Sequence, residues 1–218
     1  MIVVGKENMH LHRESILSMH ALRKRVFIDK LNWPVGTGIT VRNGMEIDDF
    51  DTVNAYYIIS HGQDGEVNAC QRLIPTVFPY LLGEKFGDWV DGKMPSSSDI
   101  WEVSRFAADT DKVDTPKNII GALIAAMLEY GVARDFAHYV SISDVRIEPL
   151  LKRAGWDPKR LGKPLPTQTD TAAGEIYTVS TNMLERVKEK SKISGDVITN
   201  WSELDLSSMS QNHERKVA

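Results

Sequence analysis

Runs that switch between a two-residue and a helical period leave this chain few architectures. Ala55–Ser60 and Val67–Ile74 are short apolar stretches of strand character, and His61-Gly62-Gln63-Asp64-Gly65 between them suits a hairpin connection. Ile100–Phe106, His138–Ser143 and Glu175–Thr181 are further strand candidates. Residues 13–31 instead place Ile16, Met19, Leu22, Val26 and Phe27 at helical spacing. Asn32, Trp33 and Pro34 close that helix, because a proline disfavours helical geometry at the residue before it. Thr115-Pro116 supplies an N-cap and a first-turn proline for a helix reaching Asp135, with Ile119, Leu123, Met127 and Tyr130 on one face. Glu148–Ala154 is a helix closed by Gly155, and a charged helix follows the last strand through Lys190. Residues 35–54, rich in Gly, Asn and Asp, are expected to cross the surface as a loop. Strands alternating with helices predict an α/β sheet covered by helices, as one domain over residues 1–190. The polar tail 191–218 is expected to be ordered only where Trp201 or Leu204 docks.

Composition removes several classes of function. The 218 residues carry 26 Lys and Arg against 30 Asp and Glu, a formal charge of −4, so no global field favours nucleic acid. The longest strongly apolar segment, Ile119–Leu128, is about half of what a membrane-spanning helix needs. Met1-Ile2-Val3-Val4-Gly5 meets charge at once and lacks the apolar stretch of a signal peptide, so a cytoplasmic protein is expected. Cys70, the single cysteine, cannot form an internal disulfide and reads as a small core residue rather than a nucleophile. The six histidines are scattered, and His10-x-His12 has no further ligands nearby, so no metal is expected. Neither a Walker loop nor a dinucleotide fingerprint is present.

What remains is charge in apolar surroundings. Glu46-Ile47-Asp48-Asp49-Phe50-Asp51 sets four carboxylates within six positions, without the glycine and distal glutamate of a calcium loop. It is either a solvated acidic loop or a receptor for a cationic ligand. In Trp101-Glu102-Val103-Ser104-Arg105-Phe106, strand alternation puts Glu102, Ser104 and Phe106 on one face and Val103 and Arg105 on the other. A carboxylate and an arginine in such a run are costly unless paired, so a buried ion pair competes with a functional reading. Ser104 lacks the Gly-x-Ser-x-Gly setting of a nucleophile elbow. Arg72 is again a charge in an apolar run, either snorkelling at an edge or receiving an anion. Arg23 stands one helical turn before Phe27, near Trp33, a grouping that packs helices or cradles an adenine or a sulfonium.

The order of these residues is more specific than any one of them. Arg23-x-x-x-Phe27, Trp33, Asp48-x-x-Asp51, Arg72-Leu73-x-Pro75-Thr76, Phe86 and Glu102-x-x-Arg105 follow one another along the chain. This resembles the LuxI-type acyl-homoserine-lactone synthases, more loosely as far as Lys152-Arg153-Ala154-Gly155 and across residues 1–190. The resemblance implies a three-layer α/β/α sandwich with a mixed sheet, related to the N-acetyltransferases. It also implies transfer of a fatty-acyl group to S-adenosylmethionine, which is a substrate, so no cofactor is expected. The Gln/Arg-x-x-Gly-x-Gly/Ala pyrophosphate loop of the acetyltransferases is missing, which fits an acyl-carrier-protein donor, although some similar enzymes use acyl-CoA. On this reading Glu102, Arg105 and Arg72 are catalytic, with Glu102 the base. Arg23, Phe27, Trp33, Asp48 and Asp51 form the S-adenosylmethionine site. Phe86, Phe106 and Ser143 line the acyl pocket, with Met127 and Ile142 nearby, and Lys152 and Arg153 dock the carrier protein within a basic cluster that includes Lys159, Arg160 and Lys163. An N-acyltransferase on another amine, or a non-catalytic acyl- or nucleotide-binding module, are the competing classes.

Overall fold

The strand Val67–Pro75 is buried along its whole length, which requires neighbours on both edges and layers on both faces. The computed structural model describes residues 1–35, 38–112, 114–167 and 170–204. In chain order the elements are β1 (Ile2–Val4), α1 (Arg13–Arg23), β2 (Ile39–Arg42), β3 (Met45–Asp48), β4 (Tyr56–His61), β5 (Val67–Pro75), α2 (Leu81–Lys85), β6 (Ile100–Ala108), α3 (Ile119–Ala133), β7 (His138–Asp144), α4 (Glu148–Ala154), β8 (Lys159–Arg160), β9 (Leu165–Pro166), β10 (Thr171–Thr178) and α5 (Thr181–Ser191). One sheet runs β1-β4-β5-β6-β7-β10-β8, with β9 also on β10. Every pairing in it is antiparallel except β6 with β7. The mixed α/β sandwich implied by the resemblance is therefore the observed fold.

The two faces carry separate cores. Met19, Leu22, Val26 and Phe27, from α1 and the turn after it, pack with Val4, Ile59, Cys70 and Ile74. Leu123, Met127 and Tyr130 of α3, Leu151 of α4 and Val187 of α5 pack with Ile58, Leu73, Val103 and Tyr139 on the other face. The parallel β6–β7 pair spans only Ile100–Glu102 against His138–Val140. Beyond it β6 continues to Ala108 and β7 to Asp144 without further pairing, which leaves a notch in the middle of the sheet.

Several expected boundaries move. The helix over 13–31 keeps α geometry only to Arg23 and continues as a π-helix over Lys24–Lys30. Residues 35–54 are not simply a loop: β2 and β3 form a hairpin whose β3 buries Glu46 and Asp48. The helix expected from Thr115 starts at Ile119, and β10 starts at Thr171, ahead of Glu175. Gly155 closes α4 at a φ of 95°, as the sequence requires. Among the described residues no helix is long and apolar enough to cross a membrane.

The chain after α5 returns to the N-terminus. Ile198 and Leu204 are buried, and Asn200 bonds both the N–H and the C=O of Val3. The Glu129 carboxylate of α3 accepts the N–H groups of Val197 and Ile198 and pairs with Lys188 Nζ at 2.5 Å. Docking expected at Trp201 and Leu204 thus extends to Ile198 and Asn200; the rest of the tail, 205–218, lies outside the described residues. Because Glu129→Ala strands two backbone donors and a lysine, it should destabilise the fold by about 2 kcal/mol. Hydrogen exchange at 197–200 should accelerate more than in the β5–β6 ladder.

Candidate active site

A β-bulge decides where the charges meet. Opposite β5, Arg72 pairs with Ser104 and Cys70 with Ala107, so β6 carries one extra residue. Arg105 takes it up at a φ of 55°, a left-handed conformation that typically costs a non-glycine residue about 1 kcal/mol or more. The expected alternation is thereby corrected. Arg105 joins Glu102 and Ser104 on the α1 face, while Phe106 turns to the α3 core. The rotated guanidinium is what the strain obtains.

Three arginines and three carboxylates interlock there, all buried. Arg23 bonds Glu46 Oε2 through Nε at 2.5 Å and both oxygens of Asp51 at 2.7 and 2.8 Å. Arg72 grips both oxygens of Asp48 at 2.5 and 3.0 Å, reaches Asp51 at 3.0 Å and donates through Nε to Ser104 Oγ at 3.1 Å. Arg105 bonds Glu46 Oε1 at 3.1 Å and Asp48 Oδ2 at 2.5 Å. Tyr57 of β4 donates to Asp51 at 2.9 Å, and His20 Nδ1 donates to the Glu46 carbonyl at 2.8 Å. Formal charge cancels within the cluster, as burial demands. Burial alone would raise the Asp48 and Asp51 carboxyls, but Arg72 with Arg105, and Arg23 with Arg72, hold them below the usual range. Arg105 differs from its fellows: burial, then repulsion from Arg72, lowers its pKa, whereas Asp51 and its partners raise those of Arg23 and Arg72 despite burial.

The π-helix sets the aromatic wall. Its wider turn ends with Trp33 N–H on the Phe27 carbonyl, and the two rings stack with centroids 4.5 Å apart. Arg105 lies over both, 5.7 Å from the Phe27 ring and 5.4 Å from Trp33. Glu102 stands apart from the lattice and makes no ion pair with it. Its two oxygens accept the backbone N–H groups of Leu82 at 2.6 Å and Leu81 at 3.1 Å, where α2 begins. Burial pushes its carboxyl up to about 7 even though these bonds and Arg72 favour the charged form.

The other expected residues divide between the faces. Phe86 packs on the α1 side with Ile142, whereas Phe106 and Met127 pack on the α3 side. Ser143 Oγ meets Ser141 Oγ at 2.7 Å, in a group with Tyr177 and Glu175. Lys152 and Arg153 are exposed on the last turn of α4, and Arg160 is paired with Glu148 at 2.7 Å. Arg72 is no edge residue: β5 is internal. Cys70 is fully buried and its thiol is pushed up to about 12, chiefly by burial. Tyr57 was missed, and Glu46, named in the acidic run, was given no role of its own. The alternation of Glu46 with Asp48 across Ile47 was the available signal, hidden by reading the stretch as a loop.

The fold is shared with a putative N-acetyltransferase from Lactobacillus plantarum, which superposes with a TM-score of 0.54 at 13% identity, over 82% of this chain and 97% of its own. A CoA-dependent acyl-homoserine lactone synthase, BjaI, solved with SAM and isopentyl-CoA, superposes with a TM-score of 0.83 at 22% identity, over 96% and 97%. An acyl-homoserine-lactone synthase of Agrobacterium fabrum is 31% identical over 82% of this chain and 83% of that protein. Residues 7–187 match the autoinducer synthase family, and the chain belongs to it. It is an enzyme of the acyl-homoserine-lactone synthase type.

Because Glu46 bridges Arg23 and Arg105 directly, Glu46→Gln should cost about 3 kcal/mol or more through the unpaired buried charge left behind. Thermal unfolding reads the loss. A drop in Tm no larger than that of an exposed Glu→Gln control would show that the cluster does not depend on Glu46.

Proposed function

We propose that this enzyme moves a fatty-acyl group from acyl-carrier protein to the amine of S-adenosylmethionine and closes the product to an N-acyl-homoserine lactone. The observation that carries the chemistry is Glu102: a buried carboxyl poised near neutrality, on the strand that borders the β6–β7 notch. A general base works best when its pKa lies near the working pH. Glu102 takes a proton from the amine, directly or through water. The nitrogen then bonds the thioester carbonyl carbon, and the carrier thiol leaves. Backbone N–H groups of the β6 stretch past the last β7 pairing stabilise the oxyanion. The methionyl carboxylate next attacks its own γ-carbon, the C–S bond breaks, and methylthioadenosine leaves as a neutral thioether. Positioning suffices for this step because the sulfonium is already activated. No cofactor takes part.

The Phe27–Trp33 pair with Arg105 over it suits the adenosyl-sulfonium end. Asp48 and Asp51 act here mainly by fixing Arg23, Arg72 and Arg105, since each is already engaged by arginine. The exposed Lys152 and Arg153 support a carrier protein, an acidic partner, as donor in the cytoplasm. Acyl-CoA is the second reading, favoured by the CoA-dependent synthase whose fold superposes at 0.83.

Purified protein incubated with S-adenosylmethionine and either thioester should release methylthioadenosine and lactone in equal amounts; release of neither would defeat the proposal. kcat/KM should rise with pH through about 7 as Glu102 ionises. Glu102→Gln should lower it a hundredfold or more and remove that limb. A variant keeping the limb would take Glu102 out of the proton transfer. Lys152→Glu with Arg153→Glu should raise KM for the carrier-bound donor and flatten its salt dependence. No change in either would place the docking surface elsewhere.

A further inference from the structure

Glu102 owes its two hydrogen bonds to a segment anchored on the other side of the notch. Residues 81–91 begin on β6, where Leu81 and Leu82 donate to Glu102, and end on the far half of the sheet. There the Asp91 N–H bonds the Leu161 carbonyl at 2.8 Å, and the Leu161 N–H bonds the Gly174 carbonyl of β10 at 2.7 Å. Gly174 pairs with Ile142 of β7, which lies past the last β6–β7 pairing at Val140. The segment therefore spans the notch. The two halves of the sheet that it joins share three ladder pairs, from Ile100–His138 to Glu102–Val140.

Two glycines make room for it. A Cβ on Gly174 would lie 2.8 Å from the Trp89 carbonyl oxygen, and one on Gly162 would lie 2.7 Å from the same oxygen and 3.1 Å from its carbon. Neither glycine has a left-handed φ, so what each supplies is space rather than backbone freedom. A backbone carbonyl cannot step aside as the tip of a lysine can, so a side chain at either position moves the segment. Motion at Trp89 reaches Glu102 through two short turns. The Trp89 N–H bonds the Phe86 carbonyl, the Phe86 N–H bonds the Leu82 carbonyl, and the Phe86 and Trp89 rings meet edge to face at 5.2 Å. Burial raises the Glu102 carboxyl, and the Leu82 N–H is the strongest influence against it, ahead of Arg72, the Leu81 N–H and Arg105. Tyr80, just before α2 and bonded to the Pro95 carbonyl, also feels this carboxyl, and Val140, its ladder partner on β7, is apolar.

We propose that residues 81–91 are a strap that places the Leu81 and Leu82 N–H donors on Glu102 from across the notch, with Gly162 and Gly174 as positioning residues for the base. This rests on the assignment of Glu102 as the base above. The two donors favour the carboxylate, so their retreat raises the pH at which Glu102 ionises and leaves less base near neutrality. The glycines touch neither substrate nor Glu102; they act through the backbone at Trp89.

Gly162→Ala and Gly174→Ala test this, with Gly87→Ala as control, since a Cβ at Gly87, on the strap itself, meets nothing within 4 Å. The first readout is the titration of the Glu102 carboxyl in the full chain without substrate, followed by NMR of the carboxyl carbon and assigned with Glu102→Gln. It should move up by about one pH unit in both alanine variants, the worth of one hydrogen bond to a charged group, and stay in place in the control. The second readout is kcat/KM with S-adenosylmethionine and a thioester. Its rising limb should shift with the carboxyl while the plateau above it changes by less than about threefold. General damage would instead lower the plateau and leave the limb where it was. Asp91→Pro removes the N–H bonded to Leu161 at an exposed position after an extended Val90, where a proline fits. It should shift Glu102 in the same direction and serves if an alanine variant misfolds. An unchanged Glu102 titration in every folded variant overturns the inference, whatever the turnover. A shifted titration with no turnover even in wild type keeps the strap and overturns the acyl-transfer reading.

Discussion

Six ionised side chains with almost no access to water hold the α1 face together. Arg23 comes from α1, Glu46 and Asp48 from β3, Asp51 from the turn after it, Arg72 from β5 and Arg105 from β6. Each desolvated charge is tolerable only while its partners stay in place, so the cluster ties four separate elements into one geometry. Hydrophobic packing alone would let α1 and the β2–β3 hairpin shift over the sheet; bidentate arginine contacts are far less permissive. The left-handed backbone at Arg105 is supported by the same cluster, because its guanidinium satisfies Glu46 and Asp48 only from that conformation.

This rigidity has a chemical consequence. Glu102 sits two residues from Ser104, yet it is left out of the ion pairs and held by two backbone N–H groups. A carboxylate bound by arginine would be driven to low pKa and would be useless as a base near pH 7. Separating the structural carboxylates from the reactive one lets a single strand carry both kinds of charge. The parting of β6 from β7 right after Glu102 then opens the sheet where a thioester must reach it. Glu175 repeats the pattern on the opposite face, where burial and Glu148 push its carboxyl up to about 7.

Much of this was legible in the residues themselves. Arg72, Glu102 and Arg105 stood out because charge in apolar runs is expensive, Asp48 and Asp51 as part of a dense acidic run and Arg23 beside Phe27 and Trp33; all but Glu102 meet in one cluster beside it. Phe27 and Trp33 were grouped with Arg23 as a cradle for an adenine or a sulfonium, and their rings stack. Glu46 escaped because a short exposed hairpin rich in turn residues has the composition of a loop. The start of α2 escaped because its role, two backbone donors for Glu102, leaves no mark on side-chain chemistry. Glu175 and Tyr177 escaped because only the β7–β10 pairing brings them together with Ser141 and Ser143.

The sequence by itself determined the alternation of strands and helices, the family and the identity of the charged groups, since periodicity and residue type are local properties. Only the tertiary structure decided which face each group occupies. A strand's alternation predicts facing until one extra residue enters the ladder, and whether a residue is extra depends on the neighbouring strand. At Arg105 that single residue carries an arginine to the α1 face and Phe106 to the α3 core, and no reading of Ile100–Ala108 alone contains it.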